Sequence, residues 1–312
     1  WLFRSDESKS VKQQGLERIN DMYRAGEGRS RHLDKKTVDG TKDRIYSINT
    51  KKTYTRGWID FCNTMKYCGY KYNGHSPRTL REAEGFVQNY IDELCQHQGR
   101  MGAEHVSPWT VATRASSVVK VLGLHLDDYN LPERRACNIR RSRTETVGDK
   151  HFSLSNNAEL VVFCRTTGLR NRKELQLVRG SDLFLRKDGR WAIHIEKGKG
   201  GRPRDAGLYG PDEEIQLVIR RMKAAGNELV WPHIHSNADV HAWRADYAVR
   251  VYTTYARDPH LLPLAERYCC RREKQGTWYD RAALERTALE LGHNRVGVVA
   301  MNYLYGFPSD SA

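Results

Sequence analysis

The residues best suited to chemistry are two arginines, two histidines and a tyrosine in the C-terminal half of the chain. Arg170 closes a Thr-Gly-Leu-Arg sequence, and His241 and Arg244 form a His-x-x-Arg motif. His293 closes Leu-Gly-His, and Tyr303 follows ten residues later. A phosphodiester is anionic and resists nucleophiles, so cationic donors must hold its oxygens during attack. Arginine suits this task because its fork donates two parallel hydrogen bonds to phosphate oxygens. The set predicts a site in which Tyr303 attacks a phosphodiester.

Each of these motifs is weak when taken alone, and two positions have a rival. Arg172 competes with Arg170 for the phosphate, and Tyr305 competes with Tyr303 as the nucleophile. An isolated arginine after a helix is usually a surface residue, and two tyrosines near a C-terminus usually pack against a helix. What favours a chemical interpretation is the common order of the motifs along one chain.

In this order the motifs resemble those of the tyrosine recombinases, the lambda-type integrase family of site-specific DNA recombinases. The resemblance covers roughly residues 47–307, and its specific motifs lie in about the last 150 residues. It implies a mainly α fold with a small antiparallel β-sheet. A helical SAM-like core-binding domain would precede a mixed α+β catalytic domain, and the two would form a C-shaped clamp around DNA.

The resemblance also implies how the phosphate would be held. Arg170 and Arg244 would clamp its oxygens, and His293 would donate to a nonbridging oxygen. His241 would bind a phosphate oxygen or help to move the tyrosine proton.

The nucleophile and the leaving group have implied roles as well. Lys199 lies in a Gly-Lys-Gly turn at the tip of a predicted hairpin. It would protonate the leaving 5′ oxygen, which raises the rate of cleavage by about 10²- to 10⁴-fold. Lys197 is its rival, because the turn could shift by two residues. Attack by Tyr303 would form a 3′-phosphotyrosine that conserves the bond energy. No cofactor is expected, since arginines, lysine and histidines supply the charge stabilisation that a metal would otherwise give.

The chain departs from the family pattern in three intervals. Glu174 follows Arg170 by four residues, one more than usual, and the interval from His293 to Tyr303 is ten instead of nine. The second departure predicts a small bulge. Arg244 and His293 are 49 positions apart, about twice the interval in compact members. The additional residues, near 258–279, are predicted to form an extra helix or loop over DNA, or an interaction surface.

Hydrophobic spacing divides the chain into four segments: an N-terminal helix and basic tether over 1–43, the helical core-binding domain over 44–132, an arginine-rich linker over 133–150 and the catalytic domain over 151–312. The same spacing predicts a strand over 191–196 and helices over 11–23, 54–65, 79–95, 107–122, 156–167, 213–225 and 282–291.

The net charge of +14 and a pI near 9.5 favour binding to a polyanion such as double-stranded DNA. The linker carries five arginines and no acid over residues 134–143, which suits either a solvated linker or a strap along phosphates. The predicted DNA contacts are Arg134, Arg135, Arg140, Arg141, Arg143, Arg202 and Arg204.

Cysteine usage and hydropathy predict a cytoplasmic protein, and the resemblance implies that it acts at the nucleoid of a bacterium. The seven cysteines form no Cys-x-x-Cys pair, which is typical of reduced thiols. No run reaches the roughly 18 apolar residues of a membrane helix. We expect no metal, because neither Cys269-Cys270 nor His233 with His235 is a convincing zinc site. The chain opens with Trp1 rather than Met, so we expect a longer protein, and the sequence leaves open whether an arm-binding domain precedes this part.

The resemblance implies recombination at specific sites in double-stranded DNA, for integration or excision of a mobile element. Four protomers would assemble in a synaptic complex because four strands are exchanged, with accessory DNA-bending proteins as further partners. Two alternatives remain: a type IB topoisomerase, which shares this chemistry, and a non-catalytic DNA-binding regulator with the same fold.

Overall fold

The computed structural model describes residues 8–37, 40–97, 106–135, 151–198, 201–271, 274–304 and 307, except for the side chain of Arg172. The chain divides into two compact units, Trp1–Arg134 and Arg135–Ala312. Across the described residues the structure is mainly helical, with eleven α-helices, a three-stranded antiparallel sheet and a two-stranded one. None of the helices in these ranges is long and apolar enough to cross a membrane.

The first unit is helical throughout its described part. Serine or threonine side chains cap four of its helices by accepting a hydrogen bond from a backbone amide in the first turn, the usual way to satisfy donors that a helix leaves open. Its helices are α1 Val11–Gly26, α2 Arg31–Asp34, α3 Ile48–Tyr67, α4 Leu80–Ala83, α5 Val87–Gln96 and α6 Pro108–Leu122.

One predicted helix, over residues 79–95, is interrupted in the structure. A 3₁₀ turn at Glu84–Phe86 separates α4 from α5. Gly85 lies in the middle of this turn, and glycine inside a helix is less favourable than alanine by roughly 0.5–1 kcal/mol. The apolar spacing is the same on both sides of the turn, which is why the sequence suggested a single helix.

The core of the first unit is organised around Trp58 of α3. Its ring packs directly on Gly15 of α1, where a Cβ atom would overlap the indole. Its Nε1 donates to the carbonyl of Lys12 at 3.0 Å. Phe61 continues the aromatic cluster, with ring centroids 5.5 Å apart. Helix α1 is therefore part of this core. The sequence pattern predicts instead that residues 1–43 form a separate segment. The spacing of α1 predicted a helix, but it could not show that Gly15 leaves room for Trp58.

The second unit joins helices to the two small sheets. Strand β2 lies between β1 and β3, with Ile193 opposite both Leu183 and Ala206. The α-helices and strands are α7 Ala158–Thr167, β1 Leu183–Leu185, β2 Trp191–Ile195, β3 Arg204–Gly207, α8 Asp212–Ala225, α9 Val240–Tyr255, β4 Arg267–Cys269, β5 Trp278–Asp280, α10 Arg281–Glu290 and α11 Val296–Asn302. Of these elements, α7, β2, α8 and α10 agree closely with the predicted helices and strand of this region.

The additional segment near residues 258–279 forms a hairpin instead of a helix. Two 3₁₀ turns, Pro259–Leu261 and Leu264–Glu266, lead into β4, which pairs antiparallel with β5. Pro259 begins the first of these turns, and Pro263 follows it, where the missing amide and the ring of proline prevent the turn from continuing as a longer helix. The hairpin leads into α10, which carries part of the candidate site.

Replacing Trp58 with alanine should lower the free energy of unfolding of the first unit by about 3–5 kcal/mol, because a buried indole is replaced by a cavity. Urea denaturation measures this change. Tyr67, at the end of the same helix, is 91 % exposed, so Tyr67→Ala should change stability by less than about 0.5 kcal/mol. Equal effects of the two substitutions would contradict this description of the core.

Candidate active site

The turn after α7 carries Arg170 into the interior of the second unit. Helix α7 ends at Gly168, whose φ of +59° lies in the left-handed region. A side chain at this position would also overlap the ring of Tyr247. Glycine is therefore required both by conformation and by space. The turn buries Leu169 and begins the next segment at Arg170.

A single π-helical turn, Asn171–Leu175, follows Arg170. The amide of Leu175 donates to the carbonyl of Arg170 at 2.8 Å, and the amide of residue 176 donates to Asn171 at 3.1 Å. This pattern contains one residue more than an α-helical turn. It thereby accommodates the additional residue between Arg170 and Glu174, and the two side chains still meet.

Glu174 binds Arg170 through both of its carboxylate oxygens. Oε1 accepts from Nη1 of Arg170 at 2.5 Å, and Oε2 accepts from its backbone amide at 2.9 Å. Of the two candidate arginines, Arg170 is thus fixed in the cluster, whereas the side chain of Arg172 lies outside the described part of the structure.

Two further arginines approach the same carboxylate. Arg204 donates to Oε2 of Glu174 at 2.6 Å, and Nη1 of Arg244 lies 4.0 Å from that oxygen. The Glu174 side chain is fully buried. Burial opposes its ionisation, but Arg204 and Arg170 more than offset this effect and hold the pKa of Glu174 at about 2. One carboxylate therefore faces three guanidinium groups.

Arg244 is the most deeply buried of these arginines, with 2 % of its side chain exposed. It donates to the carbonyl of Gly168, to the carbonyl of Leu291 at 2.5 Å, and through Nε to Oη of Tyr303 at 3.3 Å. Burial, together with the nearby Arg204 and Arg170, lowers the pKa of Arg244 to about 10, although Tyr303 acts in the opposite direction. The group nevertheless stays protonated at neutral pH.

Tyr303 lies at the C-terminal end of α11 and is 9 % exposed. Its Oη lies 3.2 Å from Nε2 of His293 and accepts from Arg244. The rings of His241 and His293 each have their centroid 5.4 Å from that of the tyrosine. Two proton arrangements fit the contact with His293: the imidazole accepts the phenol proton, or it donates to the phenol oxygen. Either arrangement suits activation of a tyrosine nucleophile.

The Leu291-Gly292-His293 segment brings His293 to the tyrosine. Gly292, with φ of +64°, closes α10, and a Cβ atom there would lie 2.5 Å from Cδ of Arg204. The carbonyl of Leu291 accepts from both Arg170, at 2.9 Å, and Arg244. The same segment therefore supplies a histidine and an acceptor that holds Arg170 and Arg244 side by side.

The last turn of α11 is wider than an α-helical turn. The carbonyl of Val299 accepts at 3.0 Å from the amides of both Tyr303 and Leu304, and the second bond spans five residues. A wider turn accommodates an additional residue, as the ten-residue interval after His293 requires.

The structure describes only some of the predicted residues in and near the hairpin between β2 and β3. Lys199 lies outside the described residues, as do Tyr305, Arg140, Arg141 and Arg143. Gly198, which precedes Lys199, is close to the cluster: a Cβ atom there would lie 3.6 Å from Oε1 of Glu174. Lys197, Arg202, Arg134 and Arg135 are exposed.

Arg204 differs from its predicted role as a DNA contact. Its side chain is 8 % exposed and donates to Glu174 and to the carbonyl of Glu290. Strand alternation is the signal that could have revealed this, because Arg204 and the buried Ala206 lie on the same face of β3. Charge alone suggested an exposed residue.

Sequence reasoning missed Glu290, which is 1 % exposed. Its carboxylate accepts from Arg186 at 2.7 Å, from the amide of Gly207 at 2.8 Å and from Tyr209 at 3.1 Å. Burial raises its pKa, but Arg186 and the Gly207 amide reverse this effect and lower it below the usual value. It anchors the end of α10 to the sheet, and no local pattern marks it.

No group of three or more potential metal ligands occurs among the described residues. His235, one of the two histidines considered as ligands, accepts from the amide of Asn237 at 3.2 Å and packs against Phe152.

Comparison with known proteins adds no assignment: no family model matches the chain, and no curated protein matches it significantly.

Replacing Glu174 with glutamine should lower the free energy of unfolding by about 3–5 kcal/mol, because the substitution leaves three buried guanidinium groups without their carboxylate. Urea denaturation measures the loss. Glu285, exposed on α10, provides the control, and Glu285→Gln should change stability by less than about 0.5 kcal/mol. A loss below about 1 kcal/mol for Glu174→Gln would refute the central role of this carboxylate.

The same carboxylate predicts an acid-dependent stability. The pKa of Glu174 is about 2, against an ordinary value of 4.5, so its stabilisation is complete above about pH 4.5 and is lost as the pH falls through about 2. The difference in unfolding free energy between the wild type and Glu174→Gln should shrink by about 3 kcal/mol over this range. A pH-independent difference would show that Glu174 does not carry the charge described here.

Proposed function

We propose that the protein is a site-specific DNA recombinase or integrase of the tyrosine recombinase type. One observation carries the proposal: Oη of Tyr303 lies within hydrogen-bond distance of both Nε of Arg244 and Nε2 of His293. The nucleophile and two groups suited to phosphate binding thus converge from α9, from the segment that follows α10 and from the end of α11.

The charge balance of the cluster supports an anionic ligand. Arg170, Arg204 and Arg244 bring three positive charges to the single negative charge of Glu174. Buried charges are normally paired, because an unpaired buried charge is costly. An excess of two positive charges is offset when a phosphodiester binds, so the protein is expected to hold DNA more tightly than its surface charge alone would require.

Tyr303 lies against these donors. Arg244 directs its Nε at the tyrosine oxygen, and the other two nitrogens of Arg244 bind the carbonyls of Gly168 and Leu291. When a phosphate enters, Nε of Arg244 and the imidazole of His293 can donate hydrogen bonds to a phosphate oxygen next to the attacking phenol. These donors favour the phenolate and also the developing charge on phosphorus.

The proposed reaction is a transesterification. The phenol oxygen of Tyr303 forms a bond to phosphorus while the bond from phosphorus to the 5′ oxygen breaks. The phenol proton passes to a base, a role that the resemblance leaves to His241, and the 5′ oxygen takes a proton from a general acid, the role that the resemblance assigns to Lys199. The 5′-hydroxyl of another strand then reverses the step and releases the tyrosine. No cofactor enters, because the 3′-phosphotyrosine conserves the bond energy.

The proposal extends to the assembly. The helical first unit would serve as the SAM-like core-binding domain and would clamp duplex DNA together with the second unit. Four protomers would act on two recombination sites, with DNA-bending proteins as accessories. The setting would be a bacterial nucleoid, where the enzyme integrates or excises a mobile element.

Covalent capture tests the proposal directly. The protein is incubated with a pool of nicked duplexes of randomised sequence, and adducts are separated on a denaturing gel. The wild type should form an adduct, because the nick lets the short fragment that carries the new 5′-hydroxyl diffuse away before it can reverse the reaction. Tyr303→Phe should abolish the adduct, since phenylalanine has no nucleophilic oxygen, and Tyr305→Phe should retain it.

The other outcomes are equally informative. Loss of the adduct in Tyr305→Phe alone would move the nucleophile to Tyr305. Absence of an adduct with the wild type would overturn the catalytic proposal and favour a DNA-binding regulator. Relaxation of supercoiled plasmid without paired sites would favour a type IB topoisomerase.

A further inference from the structure

Arg204 occupies an unusual position for an arginine on a basic hairpin. It begins β3, and its side chain turns inward, so that Nη2 donates to Glu174 at 2.6 Å and Nη1 donates to the carbonyl of Glu290. Its Nε is buried without a hydrogen-bond partner in the described part of the structure. Its Cδ fills the space that the absent side chain of Gly292 leaves open.

Through these contacts Arg204 connects three segments that carry site residues. Glu174 belongs to the π-helical turn that begins beside Arg170. Glu290 ends α10, directly before the segment that carries His293. The hairpin between β2 and β3 brings Gly198 close to Glu174.

We propose that Arg204 is a positioning residue for strand cleavage, which holds Arg170 and His293 in register with each other. This inference rests on the function proposed above. Arg170 and Arg244 also bind acceptors within the protein, but Arg244 directs its Nε at Tyr303. The hydrogen bonds of Arg204 lead to Glu174 and to the carbonyl of Glu290, which assigns it to the support of the site instead of to the phosphate itself. A guanidinium can direct two separate nitrogens at acceptors in different segments, whereas the lysine ammonium donates all of its hydrogen bonds from a single atom.

A positioning role predicts a large effect on rate. Glu174 would lose a charged partner at Oε2 and would retain the backbone amide of Arg170 there. The end of α10 would lose its bond to Arg204 and would keep the bond from Arg170 to the carbonyl of Leu291. Misplacement of a catalytic group by about 1 Å costs on the order of 10²-fold in rate, so this is the loss expected when Arg204 is replaced.

The experiment measures single-turnover cleavage of nicked duplexes, drawn from the captured pool, at saturating DNA. Arg204→Lys and Arg204→Met should cleave about 10²-fold more slowly than the wild type, with unchanged DNA affinity and a retained folding transition. Arg220, exposed on α8, provides the matched control, and Arg220→Lys and Arg220→Met should cleave at the wild-type rate.

The pH profile separates positioning from a general loss of structure. Glu174 is faced by Arg170, Arg204 and Arg244. Burial raises the pKa of Glu174, and Arg204 is the strongest of the groups that lower it. In Arg204→Met the carboxylate should therefore take up a proton at a higher pH and release Arg170. Cleavage by this variant should decline at a higher pH than cleavage by the wild type.

Three results would overturn the inference while the wild type still forms its adduct. The first is an unchanged cleavage rate in both Arg204 variants. The second is a rate loss that saturating DNA restores, which would place Arg204 on the phosphate. The third is loss of the folding transition in both variants, which would make Arg204 a residue of the fold. Failure of the wild type to form any adduct would instead overturn the proposed function.

Discussion

The second unit depends on one buried carboxylate. Glu174 meets Arg170 and Arg204 at 2.5–2.6 Å and Arg244 at 4.0 Å, and these arginines come from a π-helical turn, a strand and a helix. Without the carboxylate, the guanidinium groups would repel one another in a region that excludes water. Because the attraction acts on all three segments, it also determines where their neighbours lie, including the loop that carries His293.

The cluster remains positively charged after this pairing. Such an arrangement is less stable than a balanced one, and proteins keep it where a negative ligand completes it. Backbone carbonyls offset part of the imbalance, because Gly168 and Leu291 direct their oxygens at Arg244. Each of these carbonyls lies at a helix end that a left-handed glycine closes, Gly168 after α7 and Gly292 after α10. Helix termination and charge compensation are thus achieved by the same turns.

Much of the fold could be predicted from the sequence. Helices α7, α8 and α10 and strand β2 agree with the predicted elements because apolar spacing and capping act over a few residues. The candidate arginines, histidines and tyrosine of the site were likewise recognisable by order, and the structure brings Arg170, Arg244, His293 and Tyr303 together. The interrupted helix at Gly85 and the hairpin at residues 258–279 were less predictable, since competing local preferences there differ by only about 1 kcal/mol.

The sequence by itself determined which side chains are present, the types of most elements and the excess of positive charge. Tertiary structure decided which arginines share a carboxylate and which face solvent. Arg204 and Arg202 are two residues apart, yet one is buried and the other exposed. Their difference follows from partners 30 and 86 residues away, Glu174 and Glu290. Local sequence periodicity does not reveal contacts over such separations, because these contacts form only when the helices and the sheet pack.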